Sequence, residues 1–339
     1  MKNVVELLLN WYQENKRDLP WRKDKDPYHI WISEIMLQQT RIEAVITYYE
    51  RFMKRLPSIQ DLSLISEDEL LKLWEGLGYY SRARNLKKAA SIIMEQYSGT
   101  FPNTFQKIIT LPGIGEYTAG AISSICFKEK EVSVDGNVMR VYLRVEDKDL
   151  DINDLKTKKM IGEKIKKILP KESGDFNQAI MELGETICIP NGTPKCNICP
   201  LINHCKAKKN HRESCIPRKT KKKEKEEEFY TVFLLKYKDF FAIQKRENGL
   251  LTNMWEFPNK KGKLSKKEIE EIFSKNCEKA ISSTHIFTHK KWIMDSYLIE
   301  VKNQLEEYTW LSLNEIEQSY AIPTAFKPFL NYLKIKYPQ

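Results

Sequence analysis

LPGIGEYTAG, residues 111–120, is the stretch that decides how the first half of this chain folds. Pro112, Gly113 and Gly115 interrupt an apolar pattern, and the sequence predicts a new helix from about Glu116. Glycines there let the backbone turn tightly and leave the N–H groups at the helix start uncovered. Such groups, with the positive end of the helix dipole, form an anion site suited to a DNA phosphate. Leu111, Gly113 and Gly115 are therefore candidate DNA-binding positions. A Gly-rich turn alone is equally well explained as a plain helix connector. Here, however, Asp135 follows in VDGNV, fifteen residues after Gly120. Taken by itself, that aspartate reads as a turn residue before glycine.

Outward from the hairpin, residues 1 to about 187 keep a helical pattern. Val4, Val5, Leu8, Trp11 and Tyr12 recur at helical spacing, as do Leu70, Leu71, Leu73, Trp74 and Leu77. Asp26-Pro27 reads as an N-cap followed by proline at the first helical position, opening a helix through Glu34 to Leu37. Thr40 with Glu43 reads as a capping box, leaving Gln38 and Gln39 in a short link. After the cysteines the character changes. RKTKKKEKEEE at 218–228 reads as a charged linker. YTVFLLKY, DFFAIQKR, KKWIMDSYLIEV and YTWLSL then read as strands, with helices at 265–275 and near 324–336. The expected fold is a mainly α catalytic domain at 1–215, a linker at 216–228 and an α+β domain at 229–339.

A length of 339 residues suits two domains with a core each. The 56 Lys and Arg against 46 Asp and Glu leave +10, consistent with a polyanionic partner. Residues 1–12 hold too short an apolar run for a signal peptide. No stretch approaches the roughly 18 apolar residues of a membrane span, so a soluble, cytoplasmic protein with no membrane partner is expected. Cys126 and Cys277 stand alone in apolar segments and read as core residues; Cys215 is given no role. Cys188-x7-Cys196-x2-Cys199-x5-Cys205 is dense enough for metal or cluster ligation rather than disulfides. Thiolates suit zinc or iron–sulfur, and spacing alone does not choose. Zinc ribbons usually carry two CxxC pairs where this run has one, which favours iron–sulfur.

Two carboxylates fit the breaking of a base–sugar bond, which needs an acid for the leaving base and an anion for the oxocarbenium-like sugar. Glu34 lies in WISEIMLQQT, on an otherwise apolar helix where burial would raise its pKa; the alternative is a glutamate at the edge of an amphipathic helix. Asp135 would be the anion. The blocks LPWR (19–22), SEIMLQQTR (33–41), GLGYYSRARNL (76–86), LPGIGEYTAGAI, VDGNVMRV, FNQAIMELGETIC and the cysteine run occur in this order. Together they resemble the adenine DNA glycosylase (MutY) family, of the helix-hairpin-helix glycosylase superfamily, over essentially the full chain.

The resemblance implies a monomeric enzyme that removes adenine mispaired with 8-oxoguanine from double-stranded DNA, and carries a 4Fe–4S cluster on Cys188, Cys196, Cys199 and Cys205. It places Glu34 as proton donor and acceptor and Asp135 as stabiliser of the sugar cation, with Tyr117 and Asn137 in support. Arg17, Leu19, Trp21, Arg22 and Gln178 would line the adenine pocket, and Gln39 would insert into the base stack. It makes the last domain Nudix-like, with Phe287, Thr288 and His289 reading the 8-oxoguanine. Three departures stand out: seven residues rather than six between the first two cysteines, Thr288 for serine, and Met139 at a position basic in some relatives. Three rivals are weighed. An endonuclease III-like lyase needs an amine where this chain has Tyr117. A silent DNA-binding protein has no need of both Glu34 and Asp135. A Nudix hydrolase needs a carboxylate array that the region after Gly249 lacks.

Overall fold

The computed structural model describes residues 2–220 and 224–338. The chain divides into two compact units, Met1–Leu64 with Asn85–Lys221 and Ile65–Arg84 with Lys222–Gln339.

The first unit is helical. Asp26 caps the helix Pro27–Leu37 through the Tyr28 N–H (2.7 Å), with Pro27 at its first turn. The next helix is Ile42–Arg55, and it starts from Arg41 with no side-chain cap. The expected Thr40–Glu43 capping box is therefore absent; the Thr40 hydroxyl donates back to the Gln38 carbonyl instead (3.4 Å). Gln38 and Gln39 do form the link. Phe105–Ile108 and Glu116–Phe127 are the two arms of the hairpin. Between them Gly113 sits at φ 78°, and a Cβ there would come 2.7 Å from that of Asn85. Glycine is thus required by both backbone and space. Gly115 has ordinary extended backbone and open space around it, so its role is to leave the helix start uncovered. The helices Lys2–Asn15, Gly136–Val145 and Ser173–Thr186 pack around Leu8, Val138, Val141, Phe176 and Leu183. Met139 is buried in that core.

The second unit is built on a seven-stranded sheet: β1 Glu226–Tyr237, β2 Phe240–Lys245, β3 Trp255–Glu256, β4 Asn259–Lys261, β5 Glu278–Ile286, β6 Lys290–Glu300 and β7 Thr309–Leu311. The order is β3-β2-β1-β6-β5, β4 adding to β1 and β7 to β2. β1 and β6 run parallel, from Glu226 opposite Lys290 to Lys236 opposite Glu300. Helices Leu313–Ser319 and Lys327–Lys336 cover one face around Trp292, Phe326 and Phe329, and Lys266–Phe273 covers the other around Phe233 and Ile299.

Two expected boundaries change. The run Glu226–Glu228, placed in the linker, is the start of β1; its charges pair with Lys290 and Lys291 on β6 (Glu227–Lys291 2.7 Å, Glu228–Lys290 2.6 Å). Residues 221–223 of that linker lie outside the described residues. Ile65–Arg84 groups with the sheet rather than with the helical domain, tied by Asp68–Lys245 (2.7 Å) and Glu75–Lys327 (3.0 Å). β5 was not expected, because EKAISSTHI is too polar to read as a strand. Of the lone cysteines, Cys277 is buried as expected and Cys126 only half-buried.

Candidate active site

Ten of the residues singled out in the sequence line one cavity of about 660 Å³ in the first unit. These are Glu34, Tyr117, Asp135 and Asn137; Arg17, Leu19, Trp21, Arg22 and Gln178; and Gln39. They come from the segment 17–22, the helices Pro27–Leu37, Glu116–Phe127, Gly136–Val145 and Ser173–Thr186 and the link at Gln39, so only packing assembles the set.

Glu34 projects from a helix on which Ile30, Trp31, Ile32, Ile35 and Met36 are all buried. It keeps partial exposure because it lines the cavity, yet its Oε2 is buried with no hydrogen-bond partner. Burial pushes its carboxyl up to about 7, and the charge of Asp135 adds to this, while the Tyr117 hydroxyl and Arg22 pull the other way. The Tyr117 hydroxyl also lies 3.4 Å from the Met181 sulfur. Burial raises its pKa well above the ordinary value, so it stays a neutral phenol.

Asp135 is the N-cap of the helix Gly136–Val145. It accepts from the Val138 N–H and the Asn137 amide, both at 2.8 Å. Burial raises its carboxyl above the usual value, and those two hydrogen bonds only partly offset this. The support continues inward. The buried Arg140 donates to Asn137 Oδ1 and to the carbonyls of Gly184 and Cys188, each at 2.7 Å.

Leu19 and Trp21 are buried beside the cavity, Trp21 edge-on to Tyr49 at 5.4 Å. Arg17 and Arg22 do not project freely into it. Arg17 bonds Glu182 and Glu185 (2.6 Å to Glu185 Oε2), and Arg22 bonds Glu182 at 2.8 Å. Burial would raise the Glu182 carboxyl, but the two arginines together outweigh it and hold it below its ordinary value. Glu182 and Glu185 escaped the sequence reading. Their signal was the spacing 178, 182, 185, one face of a helix already carrying Gln178. Gln39 is exposed and holds left-handed backbone (φ 60°), which costs a non-glycine residue ~1 kcal/mol or more.

Cys188, Cys196, Cys199 and Cys205 line a second cavity with Val141, Leu183 and Ile187. Arg144, buried, donates to Cys188 Sγ at 3.2 Å. No three His, Cys, Asp or Glu side chains among the described residues converge as ligands of one ion. Four thiols lining one pocket are the donor set that an iron–sulfur cluster takes.

In the second unit, Thr288 and His289 are exposed at the β5–β6 turn. Phe287 is half-buried, packed on Trp292 at 4.7 Å and His285 at 4.6 Å, so it leans on the core rather than standing free. Tyr79, 47% exposed, shares a 2.8 Å hydrogen bond with the Thr288 hydroxyl. It lies within GLGYYSRARNL, where nothing in the sequence marks it.

The model of the HhH-GPD superfamily of base excision DNA repair proteins matches residues 32–171, and that of the NUDIX domain residues 231–332. The chain is 37% identical over 344 residues to the adenine DNA glycosylase of Buchnera aphidicola subsp. Baizongia pistaciae, covering 97% of this chain and 96% of that one. The chain belongs to the adenine DNA glycosylase family. The human adenine DNA glycosylase is 32% identical over 394 residues, covering 94% of this chain and 72% of its own. Among solved structures, a thermostable thymine-DNA glycosylase matches with a TM-score of 0.56 and 30% identity, covering 62% of this chain and 97% of its own. A trapped endonuclease III–DNA covalent intermediate, 22% identical, shares the fold with a TM-score of 0.52 over 61% of this chain and 94% of its own. This chain is therefore an enzyme of base excision repair, a hydrolytic DNA N-glycosylase with a helix-hairpin-helix domain and a Nudix-like domain. Among the described residues no helix is long and apolar enough to cross a membrane.

Proposed function

We propose that this enzyme extrudes adenine mispaired with 8-oxoguanine from duplex DNA and hydrolyses its bond to deoxyribose. The observation that carries this is one cavity lined by Glu34, whose Oε2 is buried without a hydrogen-bond partner, and by Asp135 on a helix N-cap. A carboxyl with a pKa of about 7 is poised to give a proton to a departing base at neutral pH. As a carboxylate it then takes one from the water that attacks the sugar. Asp135, fixed on both oxygens by donors from its own helix, faces the developing cation as an anion that needs no reorganisation. Leu19 and Trp21 supply apolar walls, and the Arg17–Arg22–Glu182 network a rigid polar edge. The hairpin at Gly113 and Gly115 holds phosphates, and Gln39 enters the gap left by the extruded base.

Cys188, Cys196, Cys199 and Cys205 would hold a 4Fe–4S cluster, whose contribution is to fix the loop that carries Lys195, Lys206, Lys208 and Lys209. The Nudix-like domain, through Phe287, Thr288 and His289, would read the 8-oxoguanine. Tyr117 has no amine for a Schiff base, which disfavours a strand-nicking lyase.

The test is single-turnover cleavage of duplexes with 8-oxoguanine:A, G:A and thymine glycol:A, with and without alkali. Strand breaks at adenine only after alkali support the reading; cleavage at thymine glycol, or breaks without alkali, would sink it. A broad absorbance near about 400 nm in fresh protein supports the cluster, and a colourless protein with stoichiometric zinc overturns it.

A further inference from the structure

The cavity is lined by four carboxylates, Glu34, Asp135, Glu182 and Glu185, and three cations, Arg17, Arg22 and Lys158. Both arginines are committed to Glu182 and Glu185. Lys158 is not: among the described residues its ammonium has no ion pair or hydrogen bond. It sits in the first turn of the helix Leu155–Lys166, whose buried side holds Thr157, Ile161 and Ile165. Its neighbours Lys156 and Lys159 are exposed, whereas Lys158 is half-buried and lines the same cavity as Asp135, Gly136, Asn137 and Glu185.

A nucleotide brought into this cavity carries its formal negative charge on the phosphodiesters that flank its sugar. With Arg17 and Arg22 engaged by Glu182 and Glu185, neither is free to offset the repulsion between those phosphates and Asp135. Lys158 is the uncommitted cation among the described residues that line the cavity. We propose that Lys158 grips a phosphodiester of the extruded nucleotide, a positioning residue that offsets the acidic lining of the cavity. The proposal rests on the reading of the cavity as the site for an extruded nucleotide. A lysine there acts as a flexible point charge with three donors, able to follow a phosphate without dictating its orientation.

The experiment measures binding of the full-length protein to a duplex with a tetrahydrofuran abasic analogue opposite 8-oxoguanine, across a salt series. Lys158→Gln should weaken binding about fivefold to tenfold near 0.1 M salt and reduce the slope of log K against log salt by ~0.9, the loss of one phosphate contact. Lys158→Arg should keep the slope, and Lys159→Gln, on the exposed side, should match wild type. In single-turnover excision of adenine opposite 8-oxoguanine, the Lys158→Gln loss should fall on the half-saturating protein concentration rather than on the excision constant. An unchanged slope in Lys158→Gln overturns the proposal. So does a borohydride-trapped adduct on abasic product that disappears in Lys158→Gln with binding intact, since it would put the amine on the sugar carbon. Because the abasic duplex needs no cleavage, the slope still reports on Lys158 if wild-type protein fails to excise adenine, an outcome that would count against the proposed function alone.

Discussion

Glu34 in the helical unit and Glu228 in the sheet unit are both withdrawn from water, and they end with opposite affinities for a proton. Glu228 is 5% exposed, but Lys261 and Lys290 bond one of its oxygens (2.7 and 2.6 Å) and the Trp292 indole the other (2.8 Å). Those bonds hold its carboxyl down at about 2. Glu34 has an orphaned Oε2, and burial lifts it to about 7. A satisfied carboxylate ties β1, β4 and β6 together. An unsatisfied one lowers the stability of the fold, and in exchange it holds a proton where a leaving group can take it.

The strongest test of that contrast is Glu34→Gln. Losing a general acid costs ~100- to 10,000-fold, and with no other strong proton donor in the cavity the larger end is expected in single-turnover excision. Wild-type excision should also fall about tenfold per pH unit once Glu34 deprotonates above about 7. A Glu34→Gln enzyme within tenfold of wild type, or a rate still rising to pH 9, would break the comparison.

Asp135→Asn comes next, with an expected loss of ~100- to 1,000-fold through the missing anion. Asparagine caps a helix about as well as aspartate, so circular dichroism melts should be nearly unchanged. A large drop in Tm would mean that Asp135 serves the fold first.

The stability signs should be opposite for the two glutamates. Glu34 binds its proton more tightly in the folded state, so it costs stability progressively from about pH 4.5 to about 7; Glu34→Gln should be more stable than wild type above that range, by up to ~3 kcal/mol, and equal to it at pH 4. Glu228 binds its proton less tightly when folded. Its contribution is present above about pH 4.5 and fades as pH falls towards 2, so Glu228→Gln should lower Tm at pH 7 and lose that penalty in acid. Parallel pH profiles of Tm for the two variants would refute the distinction.

The smallest effect asks whether the sheet unit is more than scaffolding. Phe287→Ala with His289→Ala should cut the ratio of kcat/KM for 8-oxoguanine:A over G:A about tenfold, equivalent to ~1.4 kcal/mol of differential contact. A ratio that survives would move lesion reading into the helical unit.

Much of the fold was legible because its signals are local. Asp26-Pro27, the turn at Gly113 and the strands from Tyr230 and Lys290 follow from capping, left-handed backbone and β-branched or aromatic runs over a few residues. β5 was not, since EKAISSTHI becomes a strand by pairing with β6 rather than by its own composition. Charge misled in one place: the glutamates of 226–228 looked solvated because their lysine partners lie about 30 to 60 residues on. That Arg17 and Arg22 pair with Glu182 and Glu185 could not be read either, because those carboxylates stand on a distant helix. The four cysteines and the carboxylates Glu34 and Asp135 could be nominated from spacing and resemblance. What the sequence by itself determined was which residues carry chemistry, because residue type and local pattern are written in the chain. Only the tertiary structure decided that one oxygen of Glu34 is orphaned while Glu228 is paired on both, that Asp135 caps a helix braced by Arg140, and that among the described cations lining the cavity Lys158 alone is uncommitted. A proton affinity or an ion pair depends on what other segments bring within a few ångströms, and that is settled by packing.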